Sequence, residues 1–500
     1  MLSDKGYRFE EIELGNHGIS YSSLNVDVAI IGAGTAGMGA YRAARAHTDS
    51  VLLIEGGQYG TTCARFGCMP SKLLIAAAEV AHQARHADRF GVHVEDLAVD
   101  GAAVMARVRR ERDRFVGFVL ESVQAIAPVD RLTAKVSFQD AHTLVTAQGQ
   151  SIQARRIVIA TGSIPVLPPL LRGLNRHLLT NENVFDLPTL PKSLAVFGAG
   201  VLGMELAQAM SRLGVEVKVF SVGGGIAGIH DPGIRDYANH AFNEELYLDA
   251  SSQVRSVKET SAGVEVEYLH RDGAWKTEPF DYVLAATGRA PDVKDLALQD
   301  TGLALNERGV PLFDRFTLQC GNSSIFIAGD ASNESPLLHE AADQGRIAGE
   351  NAGRYPDLHT GLRRTPLAVV FTDPQVASVG LNLDQLNQQF KGRFAVGFVS
   401  FEDQGRSRVM LRNQGILKVY AELGSGLFLG AEMFGPAAEH IGHLLAWAAQ
   451  QRMTVSGMLE MPFYHPVIEE GVRTALRDLN HQLHPGSVVI ERCMDCGPGA

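Results

Sequence analysis

The stretch VDVAIIGAGTAGMGAYRAARAH at residues 26–47 decides the fold. Its first six residues form a short β-rich apolar run, and Gly32, Gly34 and Gly37 follow at once, with an Ala-rich helical run behind them. In a strand, turn and helix of this kind the glycines give a tight turn and let backbone approach a pyrophosphate. They also aim a helix N-terminus at its negative charge. The next strand, VLLIE, ends at Glu55, where a carboxylate can accept hydrogen bonds from ribose hydroxyls.

The same phrase returns at SLAVF (193–197), followed by Gly198, Gly200 and Gly203, a helical run containing Glu205, and the strand VEVKVF. Two copies in one setting predict two dinucleotide sites. Their acidic ends differ. The position equivalent to Glu55 is Ser221, where an NAD site offers Glu or Asp and an NADP site a nearby Arg. Gly203 leans towards NAD, while Ser221, able to donate to a 2′-phosphate, leans towards NADP. The sequence leaves NAD against NADP open.

A chain of 500 residues, 45% apolar and 20% charged, predicts two to four domains. Its net charge of -11, with both signs spread throughout, argues against nucleic acid or an anionic membrane surface as the main partner, so small molecules or proteins are expected. The first residues, MLSDKGYRFEEIELGNHG, contain no apolar h-region, and nowhere do about eighteen consecutive apolar residues occur, so a cytoplasmic protein is expected. Residues 1–24 precede the first strand and carry no visible chemistry.

Cysteine usage raises a sharper question. The chain has 5 cysteines, and two of them, Cys63 and Cys68, stand in GTTCARFGCMPSK at 60–72. In a reducing compartment a close pair reads as catalytic or metal-binding rather than as part of a stapling framework. Residues i and i+5 of a regular helix lie too far apart for a disulfide, so a local irregularity is required. Gly67 tolerates unusual φ, and Pro70 is expected to bend or start the following helix, SKLLIAAAEVAHQA. A helix N-terminus stabilises a thiolate and makes such a pair reactive. The competing readings are two buried structural cysteines, or half of a zinc site completed by Cys493 and Cys496.

From about residue 25 to 480 the chain resembles the flavin-dependent disulfide reductases, the group that contains dihydrolipoamide dehydrogenase, glutathione reductase and mercuric reductase. The motifs that carry the resemblance begin with the Gly32–Gly37 turn with Glu55, the cysteine pair, Ala160-Thr161-Gly162 and the Gly198–Gly203 turn. Ala286-Thr287-Gly288-Arg289, Ala328-Gly329-Asp330, FTDPQVASVG at 371–380, and His465-Pro466 with Glu470 follow in order.

The resemblance implies an α/β fold with two Rossmann-like dinucleotide-binding domains and a C-terminal α+β dimerisation domain. An FAD-binding domain is expected over 25–165 and 289–360, an NAD(P)-binding domain over 166–288, and an interface domain over 361–485, with 1–24 and 486–500 as mobile ends. It implies that Gly32, Gly34, Gly37, Glu55, Gly162 and Asp330 hold FAD, and that Gly198, Gly200, Gly203 and Ser221 hold NAD or NADP. Arg289 is a further site residue. Cys68 would exchange electrons with the flavin, Cys63 would meet the substrate, and Lys72 and Glu205 would form the ion pair where hydride passes. His465, held by Glu470, would be the general base, acting on the cysteines of the second subunit of a homodimer. The implied substrate is a small dithiol or disulfide, or a lipoyl-protein.

Two features depart from the dihydrolipoamide dehydrogenase pattern: CARFGC stands where many read CLNVGC, and Phe463 where many carry a second His. A reductase of another disulfide or of a metal ion, using Cys493 and Cys496, is therefore a competing expectation. A flavoprotein scaffold without turnover is another, although it has no physical need for Cys63, Cys68, Lys72, His465 and Glu470 together.

Overall fold

The computed structural model describes residues 23–484. The expectations for the two ends, Cys493 and Cys496 included, fall outside them. The α-helices of the described residues are α1 (Thr35–Ala44), α2 (Thr62–Phe66), α3 (Cys68–Arg85), α4 (Gly101–Gln124), α5 (Val201–Arg212), α6 (Pro232–Glu245), α7 (Leu338–Arg354), α8 (Leu383–Phe390), α9 (Gly405–Val409), α10 (Ala438–Gln450), α11 (Val455–Leu459) and α12 (Glu470–Leu483). The chain divides into two compact units. Among the described residues, one takes 23–70, Val108–Val166 and Gly288–Arg363, and the other takes Ser71–Arg107, Leu167–Thr287 and 364–484.

The first unit is built on a sheet whose central strand, Leu24–Ile31, runs parallel to Val51–Glu55 on one side and to Ser151–Ile159 on the other. Central strands of a parallel sheet are covered on both faces and read as unbroken apolar runs. Val28, Ala29 and Ile30 are accordingly inaccessible to solvent. The strand Ile325–Ile327 adds in parallel to Ser151–Ile159, and the antiparallel strands Val136–Phe138 and Thr143–Thr146 close the edge. Helix α1 covers one face with small residues. It packs against α7 at backbone distance, because a Cβ on Gly345 would overlap the Ala36 carbonyl and one on Gly349 the Ala40 carbonyl.

The second unit carries three sheets among the described residues, the smallest made of the antiparallel strands Val254–Glu259, Val264–Leu269 and Trp275–Phe280. The parallel one is ordered Tyr247–Asp249, Glu216–Phe220, Ser193–Phe197, Tyr282–Ala285, Leu178–Leu179, which repeats the nucleotide-binding pattern. The larger antiparallel one is ordered Leu367–Val370, Gln375–Gly380, Phe428–Gly435, Ile416–Glu422, Phe394–Ser400. Helix α12 presses on its last strand, where a Cβ on Gly397 would overlap the Ala475 carbonyl. Residues 71–107 group with this unit through their own bonds: Arg107 Nη1 donates to the Leu73 carbonyl and Arg85 Nη1 to that of Arg212.

Candidate redox site

The first glycine turn is fixed by sterics. Gly32 has φ +105°, and a Cβ there would overlap the carbonyl oxygen of Ala160, while one on Gly37 would overlap that of Gly32. Gly34, at the N-cap of α1, faces open space with nothing within 4 Å of an added Cβ. Glu55 ends its strand beside this turn, its Oε2 accepting from Ala33 N at 2.7 Å and its Oε1 from Gly57 N at 2.8 Å. The Thr161 hydroxyl, next to Gly162 (φ +76°), is buried without a hydrogen-bond partner. Buried polar atoms are rarely left so, and a ligand is one way to satisfy them. An open glycine step at a helix N-terminus, a strand-end carboxylate and an orphaned hydroxyl together fit FAD.

Asp330 joins the same unit through a residue the sequence did not single out. Ser163 Oγ donates to Asp330 Oδ2 at 2.7 Å and accepts from Arg289 Nε at 2.8 Å, and Arg289 Nη2 donates to the Ser163 carbonyl. The structure therefore joins Arg289 to Asp330 through one hydroxyl. Nearby Asp292 has its carboxyl pushed above the usual range, chiefly by burial and also by the charge of Asp295.

The irregularity demanded by the cysteine spacing is at Gly67. Helix α2 ends there at φ −130°, ψ −115°, and α3 begins one residue later at Cys68. A Cβ at Gly67 would sit 3.1 Å from the Thr62 carbonyl oxygen and 3.3 Å from the Cys63 Cα, so a side chain at the break would be tightly packed against the end of α2. Helix α2 is capped by Thr61, whose Oγ1 accepts from Ala64 N at 3.2 Å. Cys63 is half-buried, and Cys68 is exposed. Pro70 does not start α3 as expected but lies inside its first turn, where amides have no acceptor within the helix and proline removes nothing.

Lys72, one turn into α3, is bound to Glu205 of α5. Its Nζ donates to Oε1 at 2.9 Å and Oε2 at 2.8 Å, and Glu205 is only 2% exposed. Phe371 completes this cluster: its amide donates to Glu205 Oε1 at 2.9 Å, and its ring centroid lies 4.5 Å from Lys72 Nζ. Helix α5 springs from the second glycine turn, which repeats the first in detail. Gly198 has φ +110° against the Ala286 carbonyl, Gly203 packs on the Gly198 carbonyl, and Gly200 is open. Ser221 follows the next strand. Its amide donates to the Asp249 carbonyl at 2.9 Å, and its carbonyl accepts from Ser252 N and Oγ.

His465 and Glu470, paired by the resemblance, lie within hydrogen-bond distance of each other. The imidazole Nδ1 lies 3.0 Å and 3.1 Å from the two carboxylate oxygens. The Glu470 side chain is 3% exposed and that of His465 is 54% exposed, so the carboxylate is held inside while much of the imidazole faces solvent. Glu470 opens α12, where a negative charge is favoured, and it also accepts from Val467 N at 3.2 Å and Arg473 Nη2 at 3.4 Å.

This chain is a disulfide oxidoreductase of the FAD-dependent, pyridine nucleotide-using kind. It belongs to the pyridine nucleotide-disulphide oxidoreductase family, whose model matches residues 26–345 and whose dimerisation domain matches residues 367–476. It is 30% identical to the dihydrolipoyl dehydrogenase of Geobacillus stearothermophilus over 455 residues, covering 90% of this chain and 95% of that one. It is also 30% identical to a mercuric reductase of Shigella flexneri, covering 93% of this chain and 83% of that one. The crystal structure of LpdA from Mycobacterium tuberculosis superposes with TM-score 0.77 at 25% identity, covering 90% of this chain and 99% of that one. Among the described residues no helix is long and apolar enough to cross a membrane.

Proposed function

We propose that this flavoprotein is a dihydrolipoamide dehydrogenase-like enzyme that oxidises a small dithiol or a lipoyl-protein, working in the cytoplasm as a homodimer. In this reading 25–165 and 289–360 form the FAD-binding domain, 166–288 the NAD(P)-binding domain and 361–485 the interface domain. Gly32, Gly34, Gly37, Glu55, Gly162 and Asp330, steadied by Ser163 and Arg289, hold FAD. Gly198, Gly200, Gly203 and Ser221 hold the nicotinamide cofactor.

The observation that carries the reading is the His465–Glu470 pair. A neutral imidazole whose Nδ1 is held by a buried carboxylate presents Nε2 as a base of fixed orientation. Nε2 takes a proton from one substrate thiol, and the resulting thiolate attacks Cys63 Sγ of the Cys63–Cys68 disulfide in the second subunit of the homodimer, releasing Cys68 as thiolate. The second substrate thiol then displaces Cys63 Sγ and closes the substrate disulfide, so the substrate loses two electrons and the cysteine pair gains them. FAD and NAD(P), when bound, supply the electron-accepting and hydride-carrying chemistry that reoxidises the pair. Lys72 and Glu205 provide a fixed charge pair for that passage.

The 30% identity to a mercuric reductase supports a second reading, the reduction of a metal ion or another disulfide with the help of Cys493 and Cys496. Anaerobic addition of dihydrolipoamide to the FAD-loaded protein separates the two. On the first reading the flavin absorbance changes within the mixing time and is restored by NAD+ or NADP+, which also identifies the nicotinamide. No change with dihydrolipoamide, together with flavin reduction by NADH or NADPH, overturns it in favour of the second.

A further inference from the structure

The segment Phe371–Pro374 joins the first two strands of the antiparallel sheet, and its backbone is gripped by one face of α5. Glu205, Gln208 and Arg212 recur at helical spacing on that face and are 2%, 4% and 6% exposed. Asp373 N donates to Gln208 Oε1 at 2.8 Å, and the Asp373 carbonyl accepts from Gln208 Nε2 at 2.7 Å and from Arg212 Nη2 at 3.1 Å. Arg212 Nη1 binds the Asp373 carboxylate at 2.9 Å. Behind them Glu245 of α6 accepts from Arg212 Nε at 2.5 Å and Nη2 at 3.1 Å, and from Gln208 Nε2 at 2.9 Å. Two buried side chains thus clamp the backbone of Asp373 through its amide and its carbonyl.

The clamp matters because of what lies two residues away. Phe371 touches both members of the Lys72–Glu205 pair, giving its amide to the carboxylate and its ring to the cation. The Lys72 side chain is 32% exposed, and a lysine that open to water samples many geometries unless something restricts it. A ring face on one side and a buried carboxylate on the other are such restrictions, and both depend on where 371–374 is held. We infer that Gln208 and Arg212 are positioning residues for the reaction: they seat Phe371–Pro374 so that Phe371 keeps Lys72 and Glu205 in a single geometry. This rests on the reading of that pair as the site of hydride passage.

The test uses the full-length protein and the variants Gln208→Leu, Phe371→Leu, their double variant, and Lys72→Met. Amide hydrogen exchange reports the clamp without any cofactor chemistry. Gln208→Leu is expected to speed exchange at Phe371 and Asp373 by about tenfold or more while the strands of the parallel sheet keep their protection. In stopped flow with the FAD-loaded enzyme, Gln208→Leu and Phe371→Leu each slow reduction by the nicotinamide about tenfold and leave reduction by dithiol within about twofold. The double variant is no slower than the slower single, since both act through one element. Unchanged exchange at Phe371 and Asp373, or a nicotinamide step at the parent rate despite faster exchange, overturns the inference. If Gln208→Leu does not fold, a parent-rate nicotinamide step in Phe371→Leu overturns it alone. Where Lys72→Met is slow and the clamp variants are not, the clamp fails and the role of the ion pair stands. Where Lys72→Met is itself at the parent rate, that role fails, and the inference with it.

Discussion

Replacing Glu470 with Gln keeps the shape of the side chain and removes its charge, so it isolates what the carboxylate does for His465. The imidazole gains a proton when it acts as base, and the carboxylate 3.0 Å from Nδ1 is then paired with a full positive charge. Hydrogen bonds to charged groups contribute about 1.5–3 kcal/mol. Glu470 is buried but the His465 side chain is 54% exposed, so water screens part of the interaction and the lower end of that range applies, about 1.5–2 kcal/mol. At about 1.4 kcal/mol per tenfold, kcat/KM for the dithiol falls by about 10–30-fold. The Gln oxygen can still accept from Val467 N, so α12 should keep its start and the thermal midpoint should move little. The assay is the dithiol half-reaction followed by flavin absorbance, with the nicotinamide half-reaction as internal control. A dithiol rate within twofold of the parent, or an equal loss in both halves, would refute the assignment of His465 as a base oriented by Glu470.

Other consequences can be checked separately. Gly34→Ala meets open space and should fold normally yet purify with less FAD. Gly32→Ala, with φ +105° and a Cβ that overlaps the Ala160 carbonyl, should cost folded protein as well; flavin-to-protein absorbance and the thermal midpoint distinguish the two. His82 has its pKa pushed down to about 4, first by burial and then by the charge of Arg212. Between about pH 4 and 6.5 the unfolded chain therefore binds a proton that the folded chain does not, and stability falls as the pH drops through that window. His82→Gln removes the penalty, so its loss of unfolding free energy from about pH 7.5 to about pH 5 should be smaller than the parent's by about 1 kcal/mol after allowance for solvent screening, by chemical denaturation. Cys63→Ser should abolish turnover of a dithiol while the nicotinamide still reduces the flavin. Dithiol turnover in that variant would exclude Cys63 as the thiol that meets substrate.

What could be read from the sequence was whatever short-range sterics dictate. Gly32 and Gly198 are forced by the carbonyls of Ala160 and Ala286, and Gly37 and Gly203 by those of Gly32 and Gly198, so a strand, a glycine turn and a helix could be recognised without tertiary information. The break at Gly67 was legible for the same reason, as a disulfide-capable pair at i, i+5 needs one. Partners brought together by the folding of distant segments were not. Ser163 meets Asp330 across 167 positions and Phe371 meets Glu205 across 166, and no periodicity encodes either. The motif FTDP was visible, but its contact with α5 depends on how the antiparallel sheet is placed against the second nucleotide fold, which is a property of the packed unit. Pro70 lies in the first turn of α3, which starts at Cys68, because proline marks a helix start to within a turn and not to a residue.

The two copies of the glycine fingerprint also show how one local motif can serve two tasks. Helix α1 buries Ala36, Ala40 and Ala44, and α7 meets it with Gly345 and Gly349, which brings backbone against backbone. Such an interface has little freedom to repack, as suits a turn that keeps one cofactor in place. Helix α5 begins with the same three glycines but buries Glu205, Gln208 and Arg212, each satisfied by a directional bond to a segment outside the nucleotide fold. Burying three polar side chains is costly unless every bond is made, so the geometry of α5 depends on residues 371–374, whereas α1 is tied through the Tyr41 hydroxyl to Asp130. The fingerprint therefore sets where each nucleotide can bind. The residues after it set how each helix is held, α1 by the glycines of α7 and α5 by residues 371–374, which on the proposed reading couple it through Phe371 and Lys72 to the chemistry.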